Sequence, residues 1–130
     1  MKLEYIHEGS PDCPLIRLYD FDTSQAQLLR QAFEDIVSEK EKIVALHELP
    51  FIEPLGGAQV WIAEKSDIQF DDDAVTRTLE DGMLFTWMMT KEEWNDAIAL
   101  LDAYTPSPDS FQWLTDDFGI QVLLSQSGTW

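Results

Sequence analysis

Residues 83–94 read MLFTWMMTKEEW, and this stretch predicts where a buried strand passes into an amphipathic helix. Residues 83–89 are apolar except for Thr86, which indicates a strand covered on both faces. The Thr-Lys-Glu-Glu that follows has the spacing of a capping box, in which a threonine and a glutamate three residues apart cap a helix reciprocally. We therefore expect the strand to end at Met89 and the helix to begin after Thr90.

The segment after this junction has the apolar stripe of a helix. Trp94, Ala97, Ile98 and Leu101 recur at steps of three and four, which places them on one buried face. The Thr-Pro-Ser-Pro sequence at residues 105–108 is expected to end the helix.

A second amphipathic helix is predicted nearer the N-terminus, at residues 23–39. Asp22 is a good N-cap residue, and Gln25 stands three residues on, at capping-box spacing. The apolar positions again recur at helical steps. They are Ala26, Leu29, Phe33, Ile36 and Val37.

Short runs of β-forming residues predict strands in much of the remaining chain. They are expected at residues 3–7, 14–20, 42–48, 58–64, 111–115 and 120–125. The first two would form a hairpin around the Gly-Ser-Pro-Asp turn at residues 9–12. Residues 75–79 fit either a helix or a strand, because Val75 and Leu79 stand at helical spacing while the segment also alternates. The Asp81-Gly82 pair favours a hairpin, although it is also compatible with a helix end.

These elements predict one α+β domain spanning residues 1–130. Runs of strands separated by two helices, in the order ββαββ(β)αββ, indicate a largely antiparallel sheet of about six to eight strands. The helices are expected to cover one face of that sheet. The chain is long enough to bury a sizeable core without disulfides, and 45% of its residues are hydrophobic.

Acidic residues greatly outnumber basic residues in this chain, and this imbalance limits the classes of partner that it can bind. Twenty-five Asp and Glu oppose eight Lys and Arg, which gives a formal net charge of −17. Residues 66–130 hold thirteen of the acids but two of the bases, and no base follows Lys91. Nucleic acids and anionic membranes would be repelled, so we expect neither as a partner. A basic protein would be attracted.

The acidic second half of the chain holds the candidate partner-binding residues. Aromatic anchors within a charged rim are typical of protein interfaces. The five tryptophans are mostly expected in the core, but any that lie on a sheet face away from the helices would form such anchors. The candidates for the binding surface are Glu92, Asp96, Asp102, Asp116, Asp117, Trp113 and Trp130.

Other residue types give weaker indications of chemistry. His47 stands on a predicted strand beside Glu48, but no second partner for acid–base work is identifiable, and a histidine bonded to backbone or solvent is favoured. Cys13 follows an aspartate, which opposes a thiolate, so we expect it to pack in a turn. The acidic clusters lack the spacing of a calcium loop, and Gly56-Gly57 lacks the other residues of a phosphate loop. We expect no metal site and no cofactor.

Three functions are compatible with these residues. The first is a non-enzymatic protein-binding module that docks a basic partner through the acidic second half. The second is a small ligand-binding domain or enzyme with a site near His47. The third is a solitary domain whose charge serves solubility. In size and composition the chain resembles small acidic immunity and inhibitor proteins that neutralise basic toxins, and this resemblance implies the first function. One cysteine and no signal-peptide pattern predict a cytoplasmic location.

Overall fold

The structure is a computed structural model that describes residues 1–8, 14–65, 73–78, 82–104, 110–115 and 119–128. Two α-helices, nine strands and one 3₁₀ turn occur in this part of the chain, which confirms the α+β class. In chain order they are β1 (Lys2–Ile6), β2 (Leu15–Tyr19), α1 (Thr23–Val37), β3 (Ile43–Ala45), the 3₁₀ turn (Leu46–Glu48), β4 (Glu53–Pro54), β5 (Gln59–Glu64), β6 (Val75–Arg77), β7 (Leu84–Met89), α2 (Lys91–Ala103), β8 (Phe111–Trp113) and β9 (Gln121–Ser125).

Both helices begin at the predicted capping boxes. At α1, Asp22 Oδ1 accepts the Gln25 backbone N–H at 2.9 Å, and Gln25 Oε1 accepts the Asp22 N–H at 3.2 Å. At α2, Thr90 Oγ1 accepts the Glu93 N–H at 3.2 Å, and Glu93 Oε1 accepts the Thr90 N–H at 3.0 Å. Each box satisfies backbone donors at a helix N-terminus, which fixes where the helix starts.

Helix α1 ends two residues earlier than predicted. The apolar pattern suggested residues 23–39, but Ser38 is the C-cap and its backbone N–H bonds to the Glu34 carbonyl at 2.8 Å. Glu39 has φ of 62°, in the left-handed region. A residue in this region cannot continue a right-handed helix, so α1 stops at Val37.

The strands form two mixed sheets, so the prediction of a single, largely antiparallel sheet is wrong. The first sheet has the order β4-β1-β2-β9-β8, and the second has the order β3-β5-β7-β6. The β1–β4, β2–β9 and β5–β7 pairs are parallel, and the other four pairs are antiparallel. Parallel neighbours need long connections, so these pairs join segments far apart in the sequence.

The two predicted hairpin pairings are present, and the two closing strands also pair with each other. β1 pairs with β2, β6 with β7 and β8 with β9, all antiparallel. Residues 75–77 therefore form a strand and not a helix. The turns predicted at residues 9–12, at Asp81 and at 105–108 lie outside the described residues, as does Cys13.

Three predicted strands differ in extent or in covering, and one of them, expected at 111–115, ends at Trp113. The strand expected at 42–48 ends at Ala45, because residues 46–48 form the 3₁₀ turn. Strand β7 was expected to be covered on both faces. One face is buried through Phe85, Trp87 and Met89, while the alternate residues on the other face are half-buried.

One apolar core draws on both sheets and both helices. The two helices pack against each other and contact the second sheet. Phe33 from α1, Trp87 from β7 and Trp94 from α2 form an aromatic cluster at its centre, with ring centroids 4.9 to 5.3 Å apart. The predicted inner stripe of α2 is confirmed, since all four of its residues are buried.

The first sheet is also covered in part on the face away from this core. Leu15 and Leu123 are fully buried there, although neither belongs to the main apolar cluster. Arg17 lies opposite Leu123 and donates hydrogen bonds of 2.8 Å to the Gly128 carbonyl and to Glu4. These bonds hold the turn after β9 against the outer face of the sheet.

Candidate functional site

Three of the seven predicted partner-binding residues, Asp116, Asp117 and Trp130, lie outside the described residues. The other four lie on α2 and β8. The candidate site therefore consists of α2, β8 and the cleft between them.

The first two turns of α2 carry three exposed carboxylates, on Glu92, Glu93 and Asp96. None of the three forms an ion pair with a residue in the described ranges. Glu92 and Glu93 lie in the first turn, where the partial positive charge of the helix N-terminus favours acidic side chains. We call these three residues the acidic face of α2.

Asp102 does not belong to this face, because its charge is compensated within the fold. Arg30 on α1 donates a hydrogen bond of 2.7 Å from Nε to Asp102 Oδ1, and its Nη1 lies 2.9 Å from Glu34 Oε1. The hydrogen bond to Asp102 is the main reason why the pKa of Arg30 is raised. The last turn of α2 itself has no basic residue, so the compensating charge comes from the neighbouring helix.

A cleft of about 390 Å³ lies between α2 and the segment that runs from β8 to Thr115. We call it the α2–β8 cleft. Its helix side carries Glu93, Asp96, Ala97 and Leu100, which share one face of α2 because they stand three and four residues apart. The floor is apolar and includes the buried Met89. None of the described residues that line the cleft is basic.

Trp113 borders the cleft, but its ring lies on the other face of the first sheet. In the β8–β9 register Trp113 pairs with Leu123, whereas Gln112 pairs with Leu124. Leu124 belongs to the main core and Leu123 does not. Because successive strand residues point to opposite faces, Gln112 faces α2 and the Trp113 indole faces away. Gln112 Nε2 donates to the Trp113 carbonyl at 2.9 Å, so the backbone of Trp113 is the part near the cleft.

An aromatic pair does lie on the sheet face away from the helices. Phe111 and Trp113 stand two residues apart on β8, with Phe111 52% exposed and Trp113 half-buried. Arg17 shares this face, since both it and Trp113 pair with Leu123. The predicted combination of aromatic anchors with an acidic rim is therefore divided, with the aromatic residues on this face and the acids on α2.

His47 lies in the 3₁₀ turn rather than on a strand, and it bonds to backbone. Its Nδ1 accepts the Val60 N–H at 3.1 Å, and its ring packs edge-on against Trp61 with centroids 5.2 Å apart. No carboxylate of the described residues bonds to it. The arrangement matches the structural role that the sequence favoured for this histidine.

A second cleft, of about 480 Å³, lies beside the C-terminal end of α1. Its lining includes Glu39, Glu41, Glu64 and Lys42. Glu39 is also paired with Lys91 at 3.3 Å. The carboxylates of this second cleft thus have basic groups beside them, unlike those of the α2–β8 cleft.

In the described ranges no three His, Cys, Asp or Glu residues are grouped closely enough to hold a metal ion. No α-helix in the same ranges is both long and apolar enough to cross a membrane. The sequence matches no protein-family model, and comparison with curated proteins and with solved structures returns no match.

Proposed function

We propose that this protein is a non-enzymatic binding module that docks a basic protein through the acidic face of α2. One observation carries the proposal. Glu92, Glu93 and Asp96 lie exposed on two consecutive turns, and no basic side chain in the described ranges pairs with them. An uncompensated cluster of one sign on a rigid helix attracts a surface of the opposite sign.

The bases of the second half of the chain support this proposal, because both are engaged away from the acidic face. Lys91 reaches Glu39 at 3.3 Å. Arg77 donates from Nε to the Gly82 carbonyl at 2.6 Å and lies over the ring of Tyr5 at 5.0 Å. The net charge of −17 adds a long-range field that would speed the encounter with a basic partner at low salt.

The compartment is part of the proposal. A chain with one cysteine cannot form an intramolecular disulfide, so its stability does not depend on an oxidising environment. We therefore place the module and its partner in the cytoplasm.

The test begins with capture of partners from a lysate of the source organism at low salt, followed by elution with a salt gradient. The captured protein is then purified and its affinity measured for the wild type, for the double variant Glu92→Gln/Asp96→Asn and for Asp102→Asn. We expect one basic protein that elutes at a defined salt concentration, binds the double variant at least tenfold more weakly and binds Asp102→Asn almost normally.

Three results would overturn the proposal. They are retention of no protein, release of many basic proteins together at low salt, and an affinity that neither salt nor the double variant changes. The second result would mean simple ion exchange, which a protein of this charge performs without any specific surface.

A further inference from the structure

We propose that the α2–β8 cleft receives a single lysine or arginine side chain of the basic partner. The inference rests on the proposed function, since it presumes that the partner is a basic protein. It adds the place and the chemical group at which the contact is made.

The chemistry of the lining fits such a side chain at both ends. The floor and inner wall are apolar, through Met89, Ala97 and Leu100, and the rim carries the carboxylates of Glu93 and Asp96. Lysine and arginine combine an apolar stem with a charged tip, so the stem covers the apolar wall while the tip reaches the carboxylates. An acidic side chain would be repelled, and a purely apolar one would take the carboxylates out of water without a partner.

The two carboxylates are placed to share one cation. Glu93 and Asp96 stand three residues apart on a helix, a spacing that puts Cβ atoms roughly 5–6 Å apart on one face. Glu93 is also held in place, because its Oε1 accepts the Thr90 N–H at 3.0 Å. A carboxylate has a second oxygen and further lone pairs, so Glu93 can accept from a cation while it caps the helix.

The opposite wall adds an acceptor. Gln112 faces the cleft from β8, and its Nε2 is committed to the Trp113 carbonyl at 2.9 Å. Its amide oxygen is the remaining polar atom of that side chain and can accept a hydrogen bond. A lysine or arginine tip carries three to five N–H donors, which suits several acceptors on both sides of the cleft.

The size of the cleft suits a side chain better than a folded segment. Its volume of about 390 Å³ lies near the lower end of the range of roughly 300–1,000 Å³ that small-molecule pockets occupy. The rest of the partner would then contact the exposed acidic face of α2 outside the cleft.

The experiment titrates the ¹⁵N-labelled full chain with short peptides that are uncharged except at one central position. That position holds lysine, arginine, acetyl-lysine or norleucine. Titrations are run at physiological salt and followed by amide chemical shifts. We expect saturable shifts in residues 93–100 and 112–115 with lysine and arginine, and none with the two uncharged side chains. Spermidine is titrated in parallel as a free polyamine.

Two variants that each lose one negative charge distinguish binding in the cleft from binding on the rest of the acidic face. Asp96 lines the cleft and Glu92 does not, although both are exposed on α2. Asp96→Asn should weaken lysine-peptide binding by about three- to fivefold, the upper part of the range for one exposed ion pair, whereas Glu92→Gln should change it by less than about twofold.

Equal weakening by both variants, or shifts spread over the whole of α2, would overturn the cleft assignment and leave the acidic face as the proposed docking surface. Saturable binding of the acetyl-lysine peptide would also overturn it, since no cation would then be needed. If spermidine causes shifts that are confined to the cleft and that saturate at lower concentration than those of the peptides, the proposal is overturned, because the cleft then binds a free polyamine in preference to a protein side chain. Failure of the proposed function would be seen in the capture experiment instead, where no salt-sensitive protein partner would be retained.

Discussion

Arg30 on α1 donates a 2.7 Å hydrogen bond from Nε to Oδ1 of Asp102 on α2, and the two packed helices are linked by this ion pair. The position of Asp102 explains why the link matters. A carboxylate in the last turn of a helix faces the partial negative charge of the C-terminus, which is unfavourable. Arg30 supplies the positive charge that α2 itself lacks there.

Removal of this ion pair should lower the melting temperature only when the charges are unscreened. We expect Asp102→Asn to melt below Asp96→Asn at low salt, because both variants lose one negative charge but only Asp102 has a cationic partner among the described residues. In about 1 M salt the two variants should melt together, since exposed ion pairs are screened. Thermal unfolding followed by circular dichroism at both salt concentrations measures this difference. Coincident melting curves at low salt would show that the pair contributes nothing.

The aromatic cluster at the core should carry far more of the stability than exposed apolar residues on the same helix. Phe33 is fully buried between Trp87 and Trp94, whereas Leu28 is 51% exposed. We expect Phe33→Ala to reduce the free energy of unfolding by about 3–5 kcal/mol, because it leaves a cavity in a packed interior. Leu28→Ala should change it by less than about 0.5 kcal/mol. Urea denaturation measures both, and similar losses for the two variants would contradict the described core.

Most elements and two local hairpins could be predicted from the sequence, but the pairings between strands far apart in the chain could not. Periodicity and capping boxes predicted both helices, and turn residues predicted the β1–β2 and β6–β7 pairings. They could not predict that β2 lies beside β9, or β5 beside β7, because alternation of side chains reports which residues are buried and not which strand lies alongside. The division into two sheets follows from those parallel pairs. Local sequence patterns could therefore not predict that the strands divide into two sheets.

The candidate site shows the same limit. Asp96 was predicted, and the helical spacing of Glu93, Ala97 and Leu100 contains the signal for the rest of that wall. Gln112 was missed, although alternation along β8 places it on the face opposite to Trp113. That Gln112 stands across a cleft from α2 depends on how the sheet packs on the helix. No pattern within either segment records that arrangement.

His47 should be replaceable by asparagine but not by alanine. The Val60 N–H donates to His47 Nδ1 at 3.1 Å, and Val60 is buried. His47→Ala leaves this donor without its acceptor, which should cost about 1–3 kcal/mol of unfolding free energy. The side-chain oxygen of asparagine stands close to the position of Nδ1, so His47→Asn should retain most of the stability. Urea denaturation distinguishes the two variants, and equal losses would mean that the ring packing on Trp61 matters and the hydrogen bond does not.

The cap of α1 should make stability depend on pH through one carboxylate. The Gln25 backbone N–H, and then the Ser24 hydroxyl at 2.8 Å, lower the pKa of Asp22 below its ordinary value. A depressed folded-state pKa means that the unfolded chain binds the proton more readily, so stability is lost as the pH falls. The contribution should be complete above the unfolded pKa of about 3.9 and disappear as the pH passes down through the folded value.

Asp22→Asn isolates this dependence, because asparagine caps a helix without titrating. The other carboxylates titrate in both proteins, so their effect cancels when the two melting temperatures are compared. We expect the difference in melting temperature between the wild type and this variant to be constant above about pH 5, and the wild type to lose stability relative to the variant below about pH 4. Ser24→Ala removes the Ser24 hydroxyl, which donates one of the hydrogen bonds that lower the pKa of Asp22. In that variant the decline should begin near the same pH but should be smaller and end at a higher pH, and NMR titration of the Asp22 carboxyl carbon should report the raised folded-state pKa directly. If the wild type and Asp22→Asn lose stability in parallel throughout, the carboxylate of Asp22 is not selectively stabilised in the folded state.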